Sequence, residues 1–212
     1  IYNGGTEQRG PHAVLGAHSL VARRASVEIA RQLGDALVAP VLPFSIAGGH
    51  LNPKWPGSVN LPGPVFAAVN EAVVDSMVVN GFRHIVLMGD HGGGQNEMKA
   101  VSEEMSAKFA AKGIRVHYVG DFYQKTHDDI DMYMYNHKFP IAGHGGMMET
   151  AEMMYWEPTP FAFIRPTYKT VPFDGARFEG PSLEADLKAW KDGKDRAAAR
   201  AGGAGATAGA GA

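Results

Sequence analysis

The chain has 212 residues, 45% of them hydrophobic, with a formal net charge of −2 and no cysteine. That length suits one well-buried domain. The near-neutral charge without a basic stripe argues against nucleic acid, and the absence of an apolar run of about 18 residues argues against a membrane span. Lacking cysteine, the chain forms no disulfide, thiolate zinc site or cysteine nucleophile, and it suits a cytoplasmic or a periplasmic redox environment equally. The first residue is Ile1 rather than Met, which reads as a fragment or a processed form, with the cytoplasm slightly favoured.

In chain order, residues 1–18 read as a Gly/Pro-bounded loop that gathers Glu7, Arg9, His12 and His18 ahead of a helix. Residues 19–33 carry a stripe of Leu20, Ala25, Ile29 and Leu33 that predicts a helix stopped by Gly34. Val38–Ile46 is an apolar run that predicts a buried strand. Residues 50–62, with three prolines, predict a loop long enough to suggest function. Val65, Val69, Val73 and Met77 predict a helix over Pro64–Asn80, and His84–Met88 a short buried strand. The turn Gly89-Asp90-His91-Gly92-Gly93-Gly94-Gln95 then leads into a helix over Asn96–Lys112, with Met98, Val101, Met105 and Phe109 on one face. Arg115–Val119 predicts another strand. Residues 123–143 read as irregular, Met147–Tyr155 as a short helix whose methionines fill core, and Phe161–Arg165 as a strand. The Ala/Gly stretch 197–212 is too poor in apolar side chains to offset its ordering entropy and reads as an unfolded tail behind a single domain of residues 1–196.

Alternating strands and helices predict an α/β fold with a mostly parallel sheet, and such sheets bind ligands beyond the carboxyl ends of their strands. His91 sits at such an end, in a turn whose glycines expose backbone N–H groups at a helix start. Neither the P-loop nor the dinucleotide pattern fits this turn, and no nucleophile elbow surrounds Ser45 or Ser58. A second glycine-framed histidine, His144, precedes a helix that carries Glu149 one turn in. Glutamate and histidine are metal ligands and also general acids and bases.

Taken together, the segments GGTEQRGPH, GDHGGGQ and HGGMMETA resemble the motifs of the creatininase (creatinine amidohydrolase) family. These take the forms G-x-x-E-x-H-G-x-H, an NGHGGN-like turn and an HAGExETS-like segment. His50 followed by Pro56-Gly57-Ser58 is similar to a further family loop. The resemblance covers about residues 1–170. It implies a three-layer α/β/α sandwich, a homo-oligomer, often a hexamer, one or two divalent ions, and hydrolysis of a non-peptide or cyclic amide bond. Carried over by position, it makes Glu7, His91 and Glu149 metal ligands and places His144 beside the reacting water. Four departures stand out: Arg9 replaces a metal-binding histidine, His18 an ion-bridging aspartate, Met147 a glutamate, and Gly49 an acidic residue.

Arginine cannot lose its proton to ligate a cation. The expectation is therefore one ion, held by Glu7, His18, His91 and Glu149, Zn²⁺ first and Mn²⁺ or Fe²⁺ as alternatives. His144 is expected as proton carrier and Arg9 as a holder of substrate or developing negative charge. His50, Trp55, Gly92 and Gly93 are expected to line a small-molecule substrate, with His12 behind the ligands. Two alternatives stay open: a lyase or carbon–carbon (ring-ketone) hydrolase using the same ion, and a metal-free binding or assembly protein.

Overall fold

The computed structural model describes residues 1–51, 53, 56–141, 144–156, 163–169 and 183–204. Its sheet has three parallel strands in the order β1-β2-β3: β1 Tyr2–Asn3, β2 His84–Gly89 and β3 Arg115–Tyr118. In register, Tyr2 lies beside Met88 and Ile85 beside Val116. Two-residue β1 is below the length at which alternation shows in a sequence, so the opening loop conceals a strand.

Side chains alternate along β2, and the alternation builds the layers. Ile85 and Leu87 face one side, packed with Phe66, Val74, Met98, Val101 and Met105. These come from α2 (Gly63–Val79) and α3 (Gln95–Phe109). Val86 and Met88 face the other side with Tyr2, Ala22, Ala25 and Phe122. Helices α1 (Ala17–Leu33) and α4 (Asp121–Asn136) cover that face. The result is the expected three-layer α/β/α arrangement. A third apolar cluster joins α1 to α5 (Met147–Trp156) through Ala17, Val21, Met153 and Ile164.

The helix over α3 follows its sequence stripe: Met98, Val101, Met105 and Phe109 are all buried. Two other stripes are rotated. On α2 the buried face is Phe66, Asn70 and Val74, while Val65 and Val69 are 47% and 36% exposed. This helix is apolar nearly all round, so periodicity does not choose a face. Buried Asn70 helps choose it by accepting from Asn3 Nδ2 at 3.0 Å. On α1 the buried face is Ala17, His18, Val21, Ala22, Ala25 and Ser26, and Leu33 is exposed. Gly34, with φ of 83°, ends that helix.

Residues 38–46 do not form the expected buried strand. They touch the sheet through one isolated bridge, Leu42 to Asn3, while Ser45 bridges Asn60 in the loop that follows. Pro40 and Pro43 remove two ladder donors, which confines the segment to an edge. Of residues 123–143, expected to be irregular, the stretch as far as Asn136 belongs to α4. Its i,i+4 contacts Lys125–Asp129 and Gln124–Asp128 support a helix whose apolar signal is only Phe122, Ile130 and Met134. Met147 is 44% exposed instead of filling core, whereas Met153 is buried. Phe163–Arg165 pair antiparallel with the loop at His12–Val14. Phe161 and Ala162 lie outside the described residues. The last helix, α6 (Leu183–Ala204), runs into the Ala/Gly stretch; alanine is the best helix former. Residues 205–212 lie outside the described residues. α6 is tied to α4 by Trp190 Nε1 donating to Asp131 and by Lys194 to Asp128.

Candidate metal centre

The carboxyl ends of β1 and β2 place the site. The chain leaves Asn3 into the loop that carries Glu7 and Arg9, and leaves Gly89 into Asp90 and His91. His18 enters from the first turn of α1. Two glycines decide the close approaches. A Cβ on Gly93 would fall 1.8 Å from the Ile46 carbonyl oxygen, so only glycine lets the His91 turn close over the 46–47 segment. Gly145 has a φ of 71° and stands against the Arg9 backbone, which docks the His144–Glu149 segment onto the opening loop.

Glu7 is the centre. Its side chain is 2% exposed, and its carboxylate meets four imidazoles. Oε2 lies 3.3 Å from His18 Nε2, 3.1 Å from His91 Nε2 and 3.4 Å from His144 Nε2. Oε1 lies 3.2 Å from His50 Nε2. Burial alone would raise the Glu7 carboxyl. The imidazoles of His18, His91 and His144 around it overrule burial and hold Glu7 far below the usual carboxylate range.

Among the described residues, two groups of three have their donor atoms within 4.8 Å of one another: Glu7, His18 and His91, all buried, and Glu7, His50 and His144, both histidines partly exposed. Ligand atoms about 2.1 Å from a tetrahedral Zn²⁺ stand about 3.4 Å apart, close to the Glu7–His18 spacing of 3.3 Å and the Glu7–His91 spacing of 3.1 Å. The buried group therefore fits one borderline divalent ion. In the second group, His144 Nε2 lies 2.6 Å from the Gln8 carbonyl oxygen and donates to it. A nitrogen that donates there has no lone pair for an ion.

The tautomers follow from the contacts. Arg9 donates through NH2 to His18 Nε2, so the His18 proton sits on Nδ1, which donates to Asp90 Oδ2 at 2.8 Å. A carboxylate behind a histidine in this way fixes the ring and its ligating nitrogen. Burial and the Arg9 charge lower the basicity of His18, but the bond with Asp90 and the nearby Glu7 carboxylate outweigh them and leave it raised. His91 Nδ1 lies 2.8 Å from the Gly93 N–H and 3.2 Å from the Gly93 carbonyl. Gln95 Nε2 clamps the turn by donating to the His91 carbonyl at 2.6 Å, and Tyr118 Oη donates to Gln95 Oε1 at 2.7 Å.

Glu149 stands apart from both groups of three. Its Oε2 accepts from Arg9 NH1 at 2.6 Å and from the Gly145 N–H. Burial would raise the Glu149 carboxyl, and Arg9 with the nearby histidines holds it lowered. Arg9 itself is 2% exposed, with one end of its fork on Glu149 and the other on His18. Removing one partner of such a buried pair costs about 3–5 kcal/mol. His12 is fully buried and bonds Thr150 Oγ1 through Nε2 at 2.9 Å, behind the Arg9–Glu149 pair.

Of the expected substrate groups, His50 comes to Glu7 and stacks against His144 with ring centroids 4.3 Å apart. Gly92 is exposed at the turn, and the Gly93 N–H is taken by His91. Trp55 lies outside the described residues. Burial lowers the His144 pKa to about 4, against the raising charges of Glu149 and Glu7, so the ring is neutral at physiological pH.

Three groups were not assigned roles from sequence. Asp90 orients His18; its place directly before His91 at a strand end was the available signal. Tyr123, in the segment expected to be irregular, lies against Gly92, where an added Cβ would stand 2.6 Å from its hydroxyl. Burial, then the charges of Glu149, Asp90 and Glu7, keep that phenol protonated. Glu152 is raised to about 7 by burial and by the Asp90 charge.

The parallel α/β/α fold thus carries a cluster of carboxylate and imidazole groups beyond its strand ends. The sequence matches the Creatininase family, described as creatinine amidohydrolase, over residues 1–207, and the chain belongs to that family. Solved structures agree on the fold. It superposes on a manganese form of creatininase with a TM-score of 0.62 at 18% identity, covering 91% of this chain and 89% of that one. For a mutant creatininase described as Zn-Zn type the values are 0.63, 17%, 91% and 88%. For a putative creatinine amidohydrolase from Bacteroides fragilis NCTC 9343 they are 0.55, 21%, 74% and 60%. No curated protein matches the sequence. Among the described residues, no helix is long and apolar enough to cross a membrane.

Proposed function

We propose that the chain is a metal-dependent amidohydrolase that uses one divalent ion to cleave a C–N bond of a small cyclic or formylated amide. The observation that carries this reading is the convergence of Glu7, His18 and His91 at the spacing one ion requires. Zinc suits two imidazoles and a carboxylate, and manganese or iron is the alternative; relatives with manganese and with two zinc ions are consistent with such a site. Three protein ligands leave a position for water, and a bound ion supplies a water of pKa near about 7 and a Lewis acid for the amide carbonyl.

The chain's own groups would do the rest. Glu7, His18 and His91 hold the ion, and Asp90 keeps the His18 lone pair aimed at it. His144, neutral and at the partly open side of Glu7, takes a proton and delivers it to the leaving nitrogen. His50, the exposed Gly92 turn and Gly93 border the substrate. Tyr123 offers a phenol O–H beside the same turn. Glu149 belongs to Arg9 and Arg9 to the charge balance of the site. Assembly into a homo-oligomer, as in the family, is part of the same reading and is measured by light scattering.

Elemental analysis of purified protein, joined to a panel of cyclic amides, lactams and formamides, tests the proposal. About one ion per chain and a chelator-sensitive activity on one class are expected. Less than about a tenth of an ion per chain, with no activity after metal addition, would favour a metal-free binding protein instead. Turnover confined to ring ketones would favour carbon–carbon chemistry.

A further inference from the structure

His18 Nε2 has one lone pair in the ring plane, and two cations have claims on it. Arg9 NH2 donates to it, and it is one of the three converging donor atoms of the Glu7–His18–His91 group. The other end of the same guanidinium binds Glu149 Oε2 at 2.6 Å. One buried side chain therefore engages two of the four groups that the sequence offers as ligands. The contact is built in: Gly145, left-handed and pressed on the Arg9 backbone, and the Gly145 N–H on Glu149 hold both segments together. Charge points the same way. Glu7, Asp90 and Glu149 put three carboxylates in this dry site, and a divalent ion together with Arg9 balances them.

Resting on the metal-centre reading above, we propose that Arg9 is an internal competitor of the metal ion. It shares His18 Nε2 with the ion and keeps Glu149 out of the ligand set. The consequence is a weakened, exchangeable ion on three protein ligands with an open position, instead of a tight four-ligand site. Arg9 can yield His18 and keep Glu149, because its two ends are bonded separately. A lysine could not do both, since its ammonium is a single point charge without a fork.

Zn²⁺ affinity, measured by competition with a chromophoric chelator on the full chain, tests this in wild type, Arg9→Gln, Arg9→Lys and Glu149→Gln. Arg9→Gln removes the competing charge and frees Glu149, so it is expected to bind Zn²⁺ at least about tenfold tighter. Arg9→Lys is expected in between. Glu149→Gln leaves Arg9 without its counter-charge and is expected to bind about tenfold more weakly. If Arg9→Gln does not fold, the opposite shifts of Arg9→Lys and Glu149→Gln carry the test. Zn²⁺ bound by wild type with unchanged or lower affinity in the Arg9 variants overturns the competitor role and leaves the metal centre standing. No Zn²⁺ binding in any of the four proteins overturns both.

Discussion

The Glu7 carboxylate has a dry side and a wet side, and its four histidines divide between them. His18 and His91 are each 7% exposed and are held from behind, His18 by Asp90 and His91 by Gly93. His50 and His144 are 39% and 18% exposed and stack on each other at the rim. A buried, hydrogen-bonded imidazole keeps one tautomer and one direction, which is what a ligand needs. A rim imidazole can meet substrate and exchange a proton with it. Four residues of one type at similar distances from one carboxylate thus differ in exposure and in what holds them from behind.

The comparison breaks first at the group both sides share. Glu7→Gln is expected to lose the bound ion and to lower kcat/KM by roughly a thousandfold or more, read by elemental analysis and kinetics on the same preparation. Retention of a full ion would move the centre away from Glu7. Next, His144→Gln should reduce turnover by about 10²–10⁴-fold while ion content stays at the wild-type level. A parallel fall of both would make His144 a ligand and erase the wet side as a separate region.

The same variant sharpens the contrast through pH. The folded pKa of His144 is lowered to about 4 from the ordinary 6.5, so the unfolded chain binds more protons than the folded one between those values. Stability contributed by the neutral ring is present above pH 6.5 and is lost as pH falls toward 4, by up to about 3 kcal/mol. Urea unfolding at pH 7, 5.5 and 4 in chelator should show a shallower acid loss in His144→Gln than in wild type. Identical slopes would place the ring in water. The smallest expected effect is on the dry side: Asp90→Asn should weaken Zn²⁺ binding by about 10–100-fold with the fold intact, measured by chelator competition. An unchanged affinity would deny Asp90 its part in aiming His18.

Some of this was legible in the sequence because it is local. The α3 stripe has one apolar face only, so its burial followed from periodicity. The GDHGGGQ turn and the HGG segment stood out because two glycine-framed histidines, each ahead of a helix, occur with a Glu/His loop in the order of the family's motifs. α2 defeated the same reasoning, being apolar on more than one face until Asn3 engaged Asn70. α4 hid behind charged and aromatic residues that look like loop until their i,i+4 pairs are seen in place. His50 read as a wall of the substrate pocket, yet only its position against Glu7 Oε1 shows how close to the centre it stands.

By itself, then, the sequence determined α1, α2, α3, α5, β2 and β3 and the types of donor available, since spacing and residue chemistry are properties of short segments. Which donors meet was decided by tertiary structure alone. Glu7 and His91 are 84 positions apart, and His144 and the Gln8 carbonyl 136. The pairing of Arg9 with Glu149 instead of with solvent or substrate depends on Gly145 lying against the Arg9 backbone. Burial then turned that pairing into a fixed charge beside the Glu7–His18–His91 group, because a guanidinium removed from water must keep its counter-ion.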